Sequence, residues 1–498
     1  MNTFLRWIAV ADDRMNPVAV KESRQAVQSR WVVAILTLFL VINLTVIGGY
    51  LMLSTDSETS ITGGRDVFAG LMGVLVVTCI AFVPLYSGVR LSLERSDVNV
   101  DLLFISTITP AAIVRGKYLN AMALTLLMFS ACMPFMVLTY LLRGIDLPTI
   151  FYALAWSFLV CAVANAVGIF AGSIPGSWFI RGVVAVVMVF QLFYLGGATI
   201  ALINATVYRG WFGSTATWSE AAWLAFSELL AIGLLHVYSV ALLSPKTSNR
   251  MFVPRICVTC CWALFGAAAV AWALIEERMW PVQAWTMSSG IAIMFLLVAA
   301  LGERDSWSYR VRRTIPRNPL SRLLAFVFYS GAAGGMVWCT LLFVATIGVA
   351  HLIAAGRPSL AKELFAVNGD LAYVFGYALC YCLTIAALRP VILRRMATPG
   401  LSVLAAFLGI AVCLGPYLVA FFIERDWWRA VPWYLVGSPM VLSMSNEAAK
   451  NAASVVLLAW LGLGLLAASP WALGQWRRFE SAKPPVCPPA ESVAAEVV

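Results

Sequence analysis

Charge is what this chain has least of. Asp, Glu, Lys and Arg together make up 12% of its 498 residues, and His236 and His351 are its only histidines. So little charge cannot solvate the surface of a water-soluble protein of this length. Two histidines also leave little for a metal site. Cys257-Val-Thr-Cys260-Cys261 mimics a zinc or redox pair, but it lacks a second pair and sits at the start of an apolar run. Its cysteines read as small packing residues, and no metal ligands are assigned. The sequence has no GxxxxGK[ST] phosphate loop, no HExxH and no GxSxG, which excludes nucleotide binding or hydrolysis by those routes. The net charge of +10 is not gathered on a polar module, so a nucleic-acid footprint is excluded as well. Residues 1–30 are too polar to supply the apolar region of a cleavable signal.

Apolar sequence is abundant instead, at 61% of residues with mean hydropathy +0.87. Runs of about 20 apolar residues recur, each long enough to cross a bilayer as a helix. They predict an all-α polytopic membrane protein with twelve spans near 31–53, 67–89, 119–142, 149–172, 182–206, 221–244, 256–275, 283–301, 323–350, 372–388, 401–423 and 452–471. With the N-terminus cytoplasmic, inside segments hold 25 of the 34 Lys and Arg, which places both termini inside by the positive-inside rule. The spans divide into two six-helix halves, 31–244 and 245–476. They are preceded by an amphipathic segment within 1–30 and followed by a Pro-, Ala- and Val-rich tail, 477–498, that reads as disordered. Each half has one conspicuous inside loop after its second span. Glu94-Arg95 opens the first and Glu303-Arg304 the second, 209 residues later, with a basic stretch over 302–322. That echo suggests duplicated six-span units.

The first of these loops, 90–118, is the most informative part of the chain. ERSDVNVDLLFISTITPAAIVRGKYL interrupts the apolar sequence between two spans, with an amphipathic run from Val98 to Ile108 broken by Thr109-Pro110. A bare turn needs only a few residues, whereas this one patterns like a short helix on the membrane surface and reads as a docking element. Ahead of the first span, Asn16-Pro17 opens a second amphipathic helix through Lys21, Glu22 and Arg24. Glu228 is the acid placed well inside a span, and a carboxylate at that depth is a candidate for proton or substrate handling. Asn165, Gln191 and Asn204 are polar span residues whose expected use is interhelical hydrogen bonding.

NPVAVKESRQAVQSR before the first span and ERSDVNVDLLFISTITPAAIVRGKYL after the second resemble the permease subunits of type-2 ABC exporters. The match is specific over residues 16–140. The second half, with ERDSWSYRVRRTIPRNPLSRLLAFVFYSGAAGG, is similar to the long bacterial members that carry two six-span blocks. The resemblance implies that Asn16, Pro17, Lys21, Glu22 and Arg24 belong to an elbow helix. It also implies that Glu94, Arg95, Asp101, Leu102, Leu103, Ile105, Thr109, Pro110, Gly116 and Lys117 belong to a coupling loop seated in a separate ATPase. Asn99-Val100 stands where the family's common version has Gly-Thr before the leucines, a departure in the centre of the motif. The implied partners are a dimer of ABC ATPase subunits carrying the ATP and Mg, a second permease chain or second copy, and the lipid bilayer of a bacterial inner membrane. This chain itself would bind no cofactor and catalyse nothing. The competing readings are an ion-coupled secondary transporter with two six-helix repeats, which calls for several buried ionisable residues, and a non-transporting membrane scaffold.

Overall fold

The computed structural model of the chain describes residues 16–53, 63–94, 108–142, 145–176, 178–209, 215–245, 247–276, 279–356, 358–393, 396, 398–423, 438–439 and 447–482. Among them every regular element is a helix, and eleven helices are long and apolar enough to cross a membrane. The protein is a polytopic helical membrane protein. The twelfth expected span, 401–423, lies in a helix, Thr398–Ile423, of which Gly400–Cys413 counts as a shorter apolar segment. Two compact units divide at Ser244 and Pro245.

Unit 1 begins with a short helix, α1 (Pro17–Val27). Six long ones follow: α2 (Arg30–Leu53), α3 (Gly63–Glu94), α4 (Pro110–Leu141), α5 (Leu147–Ser173), α6 (Trp178–Arg209) and α7 (Thr215–Leu243). Helix α3 is the centre of the unit and packs against α2, α4, α5 and α6. Its buried face, including Phe68, Leu71, Met72, Leu75 and Val76, is almost wholly removed from solvent and lipid. The crossing of α3 and α5 is drawn tight by small residues. A Cβ at Gly168 would run into the Pro84 carbonyl, and one at Gly172 into the Gly88 carbonyl, so the two backbones touch directly. At 32 residues each, α3 and α4 are about 48 Å long at ~1.5 Å per residue. That exceeds a hydrocarbon core of roughly 30 Å, so both helices extend well beyond it.

Unit 2 contains α8 (Phe252–Glu276), α9 (Trp280–Leu301), the single turn α10 (Tyr309–Arg312) and the ten-residue α11 (Pro319–Phe328). Next come α12 (Ala332–Ala355), α13 (Pro358–Leu388), α14 (Thr398–Ile423) and α15 (Glu447–Arg478). Helix α9 packs on α8, α12, α13 and α14, and α13 packs on α15. Two expectations are corrected here. The span expected at 323–350 is two helices, because the chain breaks at Tyr329–Gly331, where the Val327 and Tyr329 carbonyls are taken by Arg255 and the Gly331 amide by Glu303. The disordered tail expected from 477 does not begin there. Helix α15 runs to Arg478, Phe479 is fully buried, and the Ala482 amide donates to the Arg312 carbonyl.

Candidate functional site

The residues expected to flank a docking loop come together at one end of unit 1, and the local sequence explains how. Asn16 caps α1, its side-chain oxygen accepting from the Val18 amide at 3.0 Å, with Pro17 pre-set at the first helical position. Thr109 and Pro110 start α4 in the same way, Thr109 accepting from the Ala112 amide. The two helix starts are joined, since the Asn16 amide donates to the Ala112 carbonyl at 2.5 Å. Gly116 lets α1 lie flat on α4, because a Cβ there would sit 2.7 Å from the Val18 Cβ. Ser23 reaches Asn120 of α4 at 3.2 Å. Below these contacts Leu91, Ile113, Val114, Ile169 and Leu243 form an apolar cluster that ties the ends of α3, α4, α5 and α7 together.

A compact charge cluster sits over that apolar floor. The Lys117 ammonium, 2% exposed, lies 2.8 Å from Glu22 of α1 and 2.8 Å from Glu94 at the end of α3. Arg90, one turn before Glu94, approaches Glu22 at 3.6 Å and donates to Gln25 and Tyr86. Two acids and two bases balance, so the cluster is neutral as a whole. Burial alone would push the Glu22 carboxyl up, but the bonded Lys117 and nearby Arg90 hold it below its ordinary value of 4.5. Lys117 thus fastens both helices that border the 95–107 segment to the short helix α1.

Unit 2 carries a second polar knot. Arg255 of α8, 2% exposed, bonds both oxygens of Glu303 at 2.7 Å. It also donates to the carbonyls of Val327 and Tyr329 at the C-terminal end of α11, and to that of Gly331, which caps α12 and accepts from the Gly335 amide as well. Glu303 in turn accepts from the Gly331 amide at 2.7 Å, and burial raises its carboxyl above the ordinary value despite those donors. Asp305 pairs with Arg389 at 2.7 Å. Trp307 donates to the Ser330 carbonyl, and Arg322 of α11 holds the Trp476 and Phe479 carbonyls while stacking on the Trp476 ring. The connecting Asn249 accepts from Ser330.

No family model, curated protein or solved structure matches this chain. The site therefore rests on its own geometry. Of the expected residues, Asn16, Pro17, Glu22, Glu94, Pro110, Gly116 and Lys117 meet at one place, whereas Lys21 and Arg24 are on the outward side of α1. Arg95, Asp101, Leu102, Leu103 and Ile105 lie outside the described residues. Glu228 stands apart in α7, its Oε2 atom buried without a hydrogen-bond partner among the described residues. Asn165 does bridge helices, donating to Thr125 of α4 at 2.9 Å, while Gln191 and Asn204 are exposed. Arg90 and Gln25 of the cluster, and the Gly88, Gly168 and Gly172 crossing, were missed. The Gly168-x-x-x-Gly172 spacing and the one-turn step from Arg90 to Glu94 were the signals available.

Proposed function

We propose that this chain is the membrane-spanning permease subunit of an ATP-driven ABC transporter, an exporter, and that it engages a separate ATPase through the loop 90–118. The observation that carries the reading is the Lys117 bridge between Glu22 and Glu94. A segment meant to receive a mechanical push needs rigid attachments, and here its two bordering helices are tied to each other and to α1 by the buried Lys117, paired with a buried Glu22 and a part-exposed Glu94. A displacement of the segment would move the ends of α3 and α4 together rather than bend them independently. The Gly168 and Gly172 crossing would pass that movement from α3 to α5 at the level of the backbone. Leu102, Leu103 and Ile105 are assigned as the apolar anchors in the partner's groove, since buried apolar anchors dominate such interfaces. ATP and Mg belong to the partner ATPase dimer, and the location follows as the bacterial inner membrane with both termini cytoplasmic.

Co-expression with the ABC ATPases of the same genome tests this. Wild-type chain should retain one ATPase through detergent purification, and Leu102→Asp with Leu103→Asp should release it. Failure of every ATPase to associate would overturn the reading. A second reading, proton-coupled transport, is favoured by one observation, the unpartnered Oε2 of Glu228. Glu228→Gln should leave ATP-driven turnover unchanged if the first reading holds, and should abolish transport driven by a pH gradient if the second does.

A further inference from the structure

We propose that the outward face of the 304–324 segment in unit 2 is a binding surface for anionic phospholipid headgroups. The segment joins the end of α9 at Leu301 to the start of α12 at Ala332, and α11 is bonded to Arg255 near the start of α8 and to Trp476 and Phe479 at the end of α15. Helix α11 therefore lies beside the ends of spans, at the depth of the membrane interface. Its last turn is buried through Ala325, Phe326 and Val327. Before that turn its apolar stripe is open, with Leu320, Leu323 and Leu324 exposed by 76%, 54% and 57%. Leucines at this spacing make one stripe of a helix, and a stripe left in water next to a span is what an interfacial helix presents to acyl chains.

Charge selects the kind of lipid. From Ser306 to Phe328 there is no Asp or Glu, while Arg310, Arg312, Arg313, Arg317 and Arg322 fall in that stretch. Arg312 and Arg322 are used internally, on the Glu480 and Phe479 carbonyls. Arg310, Arg313 and Arg317 are exposed and make no ion pair among the described residues, and neither does the exposed Arg304 just before them. Guanidinium groups beside an inserted apolar stripe suit phosphate oxygens, which they bind through paired N–H donors. A polybasic patch next to a span gains from the negative potential of an anionic leaflet, and its stem carbons remain over the apolar surface. A zwitterionic headgroup offers the same phosphate but carries its own cation, so it leaves the charge of the arginines uncompensated. This inference stands independently of the ATPase reading, because it concerns a different unit and a different ligand.

The test uses the full-length chain, delipidated in detergent and titrated with phosphatidylglycerol or phosphatidylcholine under native mass spectrometry. Wild type should prefer phosphatidylglycerol several-fold. Arg310→Gln, Arg313→Gln and Arg317→Gln together should reduce that preference at least threefold with no change in thermal midpoint, since none of the three supports the fold. A diazirine-bearing phosphatidylglycerol should label the peptide spanning 304–324. Equal retention of the two lipids, an unchanged preference in the triple variant, or labelling confined to other segments would overturn the proposal. Loss of a bound ATPase in the triple variant with lipid preference intact would overturn it too, and would assign the surface to a protein.

Discussion

The segment after the second span of unit 1 is held at its flanks. Glu94 at one border and Lys117 beyond the other are bonded together and to Glu22 of α1. The corresponding segment of unit 2 opens with the same Glu-Arg pair, yet Glu303 turns inward to Arg255, and the residues that follow are stitched down along their length by Trp307, Arg312 and Arg322. One arrangement secures the borders of a segment. The other uses the segment's own side chains and carbonyls to close the unit. Equal positions in an internal echo therefore do not imply equal roles, and the difference lies in where the partner of the first glutamate sits. For Glu94 it is on the helix that follows, whereas for Glu303 it is on the helix that opens the unit.

Four substitutions and one titration would break or sharpen that contrast. Glu303→Gln should have the largest effect, because it leaves the buried Arg255 cation without its anion, a change that costs about 3–5 kcal/mol. A drop in the detergent thermal midpoint should report it, accompanied by faster hydrogen exchange in α11. Lys117→Met should cost about 3 kcal/mol by the same logic in unit 1, moderated by Arg90 near Glu22, with exchange increasing in α1 rather than α11. If the two variants loosen the same helices, the contrast drawn here is wrong. Gly168→Ala should destabilise by about 1–3 kcal/mol through overpacking against the Pro84 backbone, readable as a lower midpoint that Gly182→Ala, in open space, does not share. Glu94→Gln should cost about 1 kcal/mol or less, since its side chain is 37% exposed, and should matter more for turnover than for stability.

The titration concerns Glu22. Its carboxyl is lowered in the folded chain, so the ionised form contributes stability above the ordinary value of 4.5, and this is lost as pH falls through the lower folded value. Protection of α1 against hydrogen exchange should weaken below about pH 4.5 in wild type. In Glu22→Gln it should be weaker throughout and flat over the same window. A wild-type profile without a step there would remove Glu22 from the account.

The bulk architecture was legible because hydropathy acts residue by residue: a helix that must bury its backbone polar groups in lipid shows itself as a long apolar run. The starts of α1 and α4 were legible too, since Asn-Pro and Thr-Pro carry cap and first-turn chemistry in adjacent residues. The rest depends on partners distant in sequence. Lys117 and Glu22 are 95 residues apart, and Arg255 was counted only as a topology charge although it organises five acceptors. Hydropathy also ran α11 into α12, because Phe328 and Ala332 are both apolar and the break between them is made by a carboxylate 28 residues away. The apolar stripe of α11 was absorbed into that span, so the basic stretch over 302–322 was legible but the exposed leucines beside it were not.

The most direct test of the central claim is the ATP hydrolysis rate of the partner ATPase, reconstituted in nanodiscs with wild-type chain or with Lys117→Met. Coupling through the anchored borders predicts that the variant still assembles with the ATPase but no longer alters its rate, while wild type does. Identical rates with the wild-type and variant chains, in complexes of equal composition, would contradict it.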